Sequence, residues 1–249
     1  MQLRFENVSR HFGQLRAVRD FQTTIHPKTI TAILGANGAG KATLLKLIAG
    51  WIPVASGRIT LGEALIKPSR IHLRKSIHLI DTPRPHQGGC TDSIFRTIDH
   101  YKLIRDSLAD EAAVWIERLN LLGVYSRKSS ELSKGQRYKI AMIGLFLARP
   151  HIWLLDEPFS SGLDANGLEV LLHQMRLHAS GGGIVIFSTQ WPQQAQKLAD
   201  QIMILDHGQL VWDSPASVAP AQSLIDSSNV GLQAVLNGIG GTTGISEHV

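Results

Sequence analysis

The chain has 249 residues, 43% hydrophobic and only 18% charged. That is enough apolar material for one sizeable α/β domain with an appended lobe, or for two small domains, and it excludes an intrinsically disordered protein. The formal net charge of +5 is spread without a basic run, so an ordinary cationic surface is expected and no nucleic-acid partner. The single cysteine, Cys90, rules out an intramolecular disulfide framework and a cysteine-built metal cluster.

Met1 to Glu6 alternates in the manner of a strand rather than a signal peptide. Leu3–Val8 and Leu15–Ile25 read as two strands around a turn at Phe12-Gly13, predicting a small antiparallel sheet. Thr29–Leu34 is a short apolar run rich in β-branched residues. It leads into Gly35-Ala-Asn-Gly-Ala-Gly-Lys-Ala-Thr43 and then Leu44–Ile48, whose apolar positions suit a helix on a sheet. Strand, glycine loop and helix carry the GxxxxGK spacing in Gly35, Gly40 and Lys41, where backbone N–H groups cradle phosphate oxygens and the lysine reaches the terminal phosphates. That motif places Ser or Thr after the lysine to ligate Mg²⁺; this chain has Ala42, whose methyl cannot. Thr43 keeps a hydroxyl, turned about 100° further round the helix and so better placed for phosphate than for the ion.

Gly57–Gly62 predicts another strand. From about Thr82 to Gly144 the character changes: a loop carrying Pro83, Pro85, Gly88 and Gly89 precedes helical periodicity over Ile94–Tyr101 and Glu111–Leu122, a candidate inserted helical lobe. Leu132-Ser-Lys-Gly-Gln136 then sits just ahead of a helical run, Tyr138–Leu147, the arrangement that grips an anion at a helix N-terminus. The apolar run from His151 to Leu155 is broken from the one before it by Arg149 and Pro150, so nothing here is long enough to span a bilayer. It ends in Asp156-Glu157-Pro158, two carboxylates at a strand end. The first can hold Mg²⁺, usually through water, and the second can activate an attacking water as general base. Gly183–Thr189 reads as a further strand, and Ile202–Leu205 with Leu210–Trp212 as a hairpin. Residues 216–249 form a Ser/Ala/Gly-rich tail.

These motifs, in this order over roughly residues 1–215, resemble the ATP-binding-cassette ATPases. The resemblance implies an α/β fold: a P-loop NTPase core with a mainly parallel sheet flanked by helices, an antiparallel β subdomain, and a helical subdomain at about 82–144. It implies ATP and Mg²⁺ as ligands and a head-to-tail dimer, homo- or heteromeric, with two nucleotides sandwiched between subunits. It also implies an integral membrane transport subunit as partner, and so a cytoplasmic place, peripheral at the inner face of a membrane. Phe12 matches the aromatic residue that stacks on adenine, with a core aromatic as the alternative. Gly35, Asn37, Gly38, Ala39, Gly40, Lys41, Ala42 and Thr43 match the loop around the phosphates. Asp156 matches the metal carboxylate, and Glu157 and Lys41 the catalytic set, in which Gln190 takes the third position. Ser133, Gly135 and Gln136 match the signature that caps the partner's γ-phosphate, and Ser161-Gly-Leu-Asp164 the loop that communicates across the dimer.

Three positions depart from the family pattern. Besides Ala42, Thr82 stands where the family has a metal-reaching glutamine, with Gln87 an out-of-register candidate. Gln190 stands where it has a switch histidine, and carries no titratable proton. The leading expectation is therefore the ATP-binding subunit of an ABC transporter. The alternative is a catalytically weakened cassette acting as a nucleotide-gated regulatory or assembly subunit, or as one half of a heterodimer.

Overall fold

The computed structural model describes residues 1–70, 73, 75–81, 107–124, 127 and 129–218. The first half of the chain builds an antiparallel sheet in the order β2-β1-β4-β5, from β1 (Leu3–Phe12), β2 (Leu15–Ile25), β4 (Ser56–Leu61) and β5 (Ala64–Leu65). The second sheet has six strands in the order β10-β9-β3-β8-β7-β6: β3 (Thr29–Leu34), β6 (Ile77–Ile80), β7 (Ile152–Leu155), β8 (Ile184–Thr189), β9 (Gln201–Asp206) and β10 (Gln209–Pro215). The five strands from β9 to β6 run parallel, and β10 folds back antiparallel on the β9 edge.

Both faces of the parallel sheet are covered, and this is why its strands read as unbroken apolar runs. Ile33, Leu154, Ile186 and Met203 face the antiparallel sheet and α1 (Lys41–Ile48), packing on Phe5, Phe21, Leu44 and Leu45. Ala32, Leu155, Phe187 and Ile204 face the opposite way, toward α2 (Ser107–Arg118), α3 (Lys134–Ala148), α4 (Ala165–Ser180) and α5 (Pro192–Leu198). An aromatic ladder fastens α2 to the core: Trp115 lies 4.7 Å from Phe146, Phe146 5.5 Å from Trp153, and Trp153 stacks at 4.3 Å on His178. Burial lowers the pKa of the His178 imidazole, so the stacked ring is held neutral.

The strands and hairpins expected from alternation are present, and so is the helix after the glycine loop. β6, α4 and α5 were not anticipated. β6 is four residues long, and α4 carries exposed Leu177 on an otherwise half-buried face that blurs its period. α2 ends at Arg118, four residues before the expected Leu122, because the chain reverses at Asn120 with φ 55°. Gly144, the expected far limit of the lobe, lies inside α3. The expected Ile94–Tyr101 helix and nearly all of the tail lie outside the described residues.

Candidate functional site

Parallel pairing delivers four strand ends to one edge of the sheet, where ligands bind in open α/β folds. β3 ends in the Gly35 loop, β7 in Asp156-Glu157, β8 in Ser188-Thr189-Gln190 and β6 in Asp81. Register then fixes the neighbours. Leu155 lies opposite Phe187, so Asp156 falls beside Ser188; Ile80 lies opposite Leu155 and its carbonyl accepts from the Asp156 N–H at 2.9 Å.

The glycine loop is held from behind. The Ala39 carbonyl accepts from the Gly208 N–H at 2.9 Å, which anchors the loop to the β9–β10 turn. Gly40 adopts φ 106° and lies so close to the backbone of Ala17 that a Cβ there would strike its carbonyl oxygen. Only glycine meets both demands. Lys41 opens α1, yet its side chain is buried at 6% exposure. Its Nζ donates to the Gly35 carbonyl at 2.7 Å and the Ala36 carbonyl at 3.1 Å, and stands 3.2 Å from Glu157 Oε1. Asn37 and Gly38 are exposed at the mouth of the loop, Ala39 is buried beneath it, and Ala42 and Thr43 are half-buried in the first turn of α1.

Glu157 follows β7 in a left-handed conformation, φ 45°, and its N–H donates to Ser188 Oγ at 2.8 Å. Both its carboxylate oxygens are buried; Oε1 meets the Lys41 ammonium as an ion pair at 3.2 Å, and no further partner reaches either oxygen. Ser188 Oγ in turn donates to Asp156 Oδ1 at 2.6 Å. The Asp156 pKa is raised, chiefly because the carboxyl is buried; the Ser188 bond works the other way, and the charges of Asp81 and Glu157 add to the rise. Asp81 makes an ion pair with Lys46 at 3.3 Å. Among the described residues no three His, Cys, Asp or Glu side chains cluster closely enough to hold a metal by themselves. Asp156, a carboxylate at a strand end beside the glycine loop, has the chemistry to meet a cation whose other ligands come from phosphate oxygens and water.

The motif Leu132–Gln136 folds as a capping box on α3. Ser133 Oγ accepts from the Gln136 N–H at 3.1 Å, and Gln136 Oε1 accepts from the Ser133 N–H at 2.9 Å. The turn is fastened to the loop after Glu157 at three points. Lys134 Nζ donates to the Ser160 carbonyl at 2.7 Å, Gly135 lies against Gly162, and Lys139 Nζ bonds Asp164 Oδ2 at 2.7 Å. Asp164 also caps α4 by accepting from the Gly167 N–H at 2.8 Å, while the buried Lys139 reaches the Leu119 carbonyl at 2.8 Å beyond α2. Ser133, Gly135, Gln136 and Ser161 to Asp164 thus form one block.

Two measurements test that block. A Cβ at Gly135 would run into the Gly162 carbonyl oxygen, so Gly135→Ala is expected to cost about 1–3 kcal/mol in urea unfolding. The Lys139 hydrogen bond, ahead of the Gly167 N–H, holds the Asp164 carboxyl below its ordinary 3.8. That contribution is present above the ordinary value and is lost as pH falls through the lower folded one. Asp164 is 57% exposed and stays hydrated when alone. Lys139→Met is therefore expected to cost only about 1–2 kcal/mol at pH 7 and to flatten the acid limb of the stability profile.

Of the remaining candidates, Phe12 ends β1 as an exposed residue, at 45%, which removes the core-aromatic alternative. The Arg10 guanidinium lies 4.6 Å from its ring centroid and donates to the Pro53 carbonyl at 3.2 Å. A groove of about 580 Å³ opens beside it, its lining including Arg10, His11, Gly13, Arg16 and Val18. Gln190 is half-buried just past β8. Thr82, Gln87 and the loop from 82 to Cys90 lie outside the described residues. Sequence reasoning missed Ser188, Lys134 and Lys139. The Ser188-Thr189-Gln190 run already flagged at a strand end was signal enough for the first; the others needed the packing of α3.

A family model described as ABC transporter matches residues 18–160, more than half of the chain. A sulfate/thiosulfate import ATP-binding protein of Agrobacterium fabrum is 35% identical over 217 residues, covering 85% of this chain and 63% of that protein. Its namesake from Thermosynechococcus vestitus is 31% identical over 227 residues, with coverage of 87% and 67%. An Fe(3+) ions import ATP-binding protein of A. fabrum is 29% identical over 227 residues, with coverage of 89% and 64%. A solved structure of an ATP-binding subunit of an ABC transporter superimposes with a TM-score of 0.80 at 19% identity, over 96% of this chain and 99% of that one. A cassette in its ADP conformation does so at 0.72, also at 19% identity, over 96% and 99%. The chain belongs to the ABC transporter family, among its ATP-binding subunits.

Proposed function

We propose that this chain binds ATP with Mg²⁺ at the Gly35–Thr43 loop and hydrolyses its β–γ bond, driving import through a separate membrane subunit. The observation that carries the reading is the meeting of Lys41 and Glu157. An ammonium sits over the loop, 3.2 Å from a buried carboxylate whose oxygens have no other partner. A γ-phosphate entering there takes Lys41 from the loop carbonyls, and a water between phosphate and Glu157 gives that carboxylate the proton it can accept.

The remaining roles are carried over from the family resemblance. Phe12 offers its exposed face to adenine, with the neighbouring groove as room for the sugar. The loop N–H groups of Asn37 to Thr43 and the N-terminus of α1 hold the phosphates. Mg²⁺ would be held by Asp156 through water and by the phosphates, and would supply charge neutralisation to the phosphates. Gln190, past the end of β8, donates to the γ-phosphate. Ser133, Gly135 and Gln136, fixed by their capping box, complete the nucleotide site of a second cassette, with Asp164 behind them. No described helix is long and apolar enough to cross a membrane, so the transport path is assigned to a partner on whose inner face the cassette docks.

The relatives are named for import of two unlike cargoes, sulfate/thiosulfate and Fe(3+). They share a direction but not a substrate, which fits a motor that never touches the cargo. Ala42 favours a second reading of the same site, a slow cassette that closes on ATP and works as a regulatory subunit or beside an intact partner. ATP binding by the purified chain and Mg²⁺-dependent phosphate release, with membrane cofractionation in the native cell, test both. Ordinary turnover selects the motor, tight binding with negligible turnover selects the slow cassette, and no ATP binding overturns both.

A further inference from the structure

Phe12 is the last residue of β1, paired with Leu15 across a turn in which Gly13 takes φ 58°, and it stays 45% exposed. An unsupported phenyl ring at a hairpin tip turns between rotamers in solvent on the picosecond to nanosecond scale. Ordering it is then part of the cost of stacking anything on it. Here the ring has support. From two residues earlier on the strand, Arg10 lays its guanidinium over the ring, with Cζ 4.6 Å from the centroid.

The guanidinium is itself fastened. Its Nη1 donates to the Pro53 carbonyl at 3.2 Å, and the Ala55 N–H donates to the Ser9 carbonyl at 2.8 Å, so the connection from α1 to β4 is pinned against β1 beside the contact. Arg10 Nε is closed off from solvent with no hydrogen-bond partner. Asp20, the carboxylate in the wall of the same groove, accepts from Ser9 Oγ at 3.1 Å. An arginine with one edge dehydrated in this way is held by the ring face and the carbonyl, and the attraction between a cation and a ring grows as water is excluded.

We propose that Arg10 is a positioning residue for Phe12: its guanidinium covers one face of the ring, leaves the other open, and so orders the ring in advance for the base of the nucleotide. This rests on the reading that Phe12 stacks on adenine. The cation also draws the π electrons toward the covered face, which lowers their repulsion against the π cloud of a base on the open one. Through Pro53 the same side chain ties this platform to the connection that leaves α1, the helix that opens on Lys41.

Two measurements test the proposal. The first needs no nucleotide: a double-mutant cycle of Arg10→Met and Phe12→Leu, read by urea unfolding of the full chain. A coupling of about two- to fivefold in the unfolding equilibrium constant is expected for an exposed cation–ring pair; additive single mutants overturn the contact. The second compares the affinity for ATP with that for inorganic triphosphate, each with Mg²⁺. Arg10→Met is expected to weaken ATP about fivefold and to leave triphosphate within about twofold, since only the base meets Phe12. Arg10→Lys, which keeps a cation, should recover part of the loss. An equal loss for both ligands marks a general effect of charge or folding, no loss for either shows a ring that needs no support, and tighter ATP binding shows a guanidinium blocking the face the base uses; each overturns the positioning role. Should the unaltered chain bind ATP no more tightly than triphosphate, or bind neither, the adenine reading of Phe12 fails and takes the positioning role with it, while the cycle still reports the contact.

Discussion

Glu157→Gln is expected to lower steady-state ATP turnover by about 10²- to 10⁴-fold while ATP binding holds or tightens. The amide has the shape of the carboxylate, so the left-handed backbone at Glu157 and its N–H bond to Ser188 need not move. Two things change. An amide cannot take the proton of an attacking water, so the step that generates the nucleophile is lost. The negative charge 3.2 Å from Lys41 also disappears, which frees the ammonium for phosphate and removes repulsion against the γ-phosphate. Rate and affinity should therefore move in opposite directions. Glutamine at 157 that turns over within twofold of the unaltered chain would remove Glu157 as the base and leave the buried oxygens unexplained.

The strand–loop–helix around Lys41 was legible because its chemistry is local. Glycines, lysine and the apolar strand before them are contiguous, and the N-terminal positive φ of Gly40 is what the spacing demands. The capping box was legible for the same reason, since Ser133 and Gln136 lie three residues apart. What the chain did not disclose is made by register and packing. Ser188 meets Asp156 across 32 residues because β7 and β8 pair as they do, and no pattern within either strand states that register. Lys139 sits in a helix whose burial is nearly complete around its circumference, which erases the period that would have separated polar function from core. β6 is invisible for another reason: four residues are too few for alternation to register, although its end delivers Asp81 beside Asp156.

Ala42→Ser is expected to raise Mg²⁺-dependent turnover, by about 10²-fold if the missing hydroxyl limits the rate, since single preorganised contacts to developing charge are of that order. The residue lies in the first turn of α1, half-buried, next to the lysine that crosses the loop. That turn holds no acidic residue to compete for a serine hydroxyl. Helix propensity works against the change: serine in place of alanine costs about 0.5 kcal/mol. Activity gained against a small loss in stability is thus the diagnostic pair, and generic stabilisation of the fold cannot produce it. Ala42→Gly, which lowers helix propensity without adding a ligand, supplies the control and should gain no turnover. If Ala42→Ser leaves turnover unchanged while Gln190→His raises it, water already fills the place of the hydroxyl at the cation. The brake then lies at the end of β8, where the glutamine can donate to the γ-phosphate but cannot carry a titrating proton.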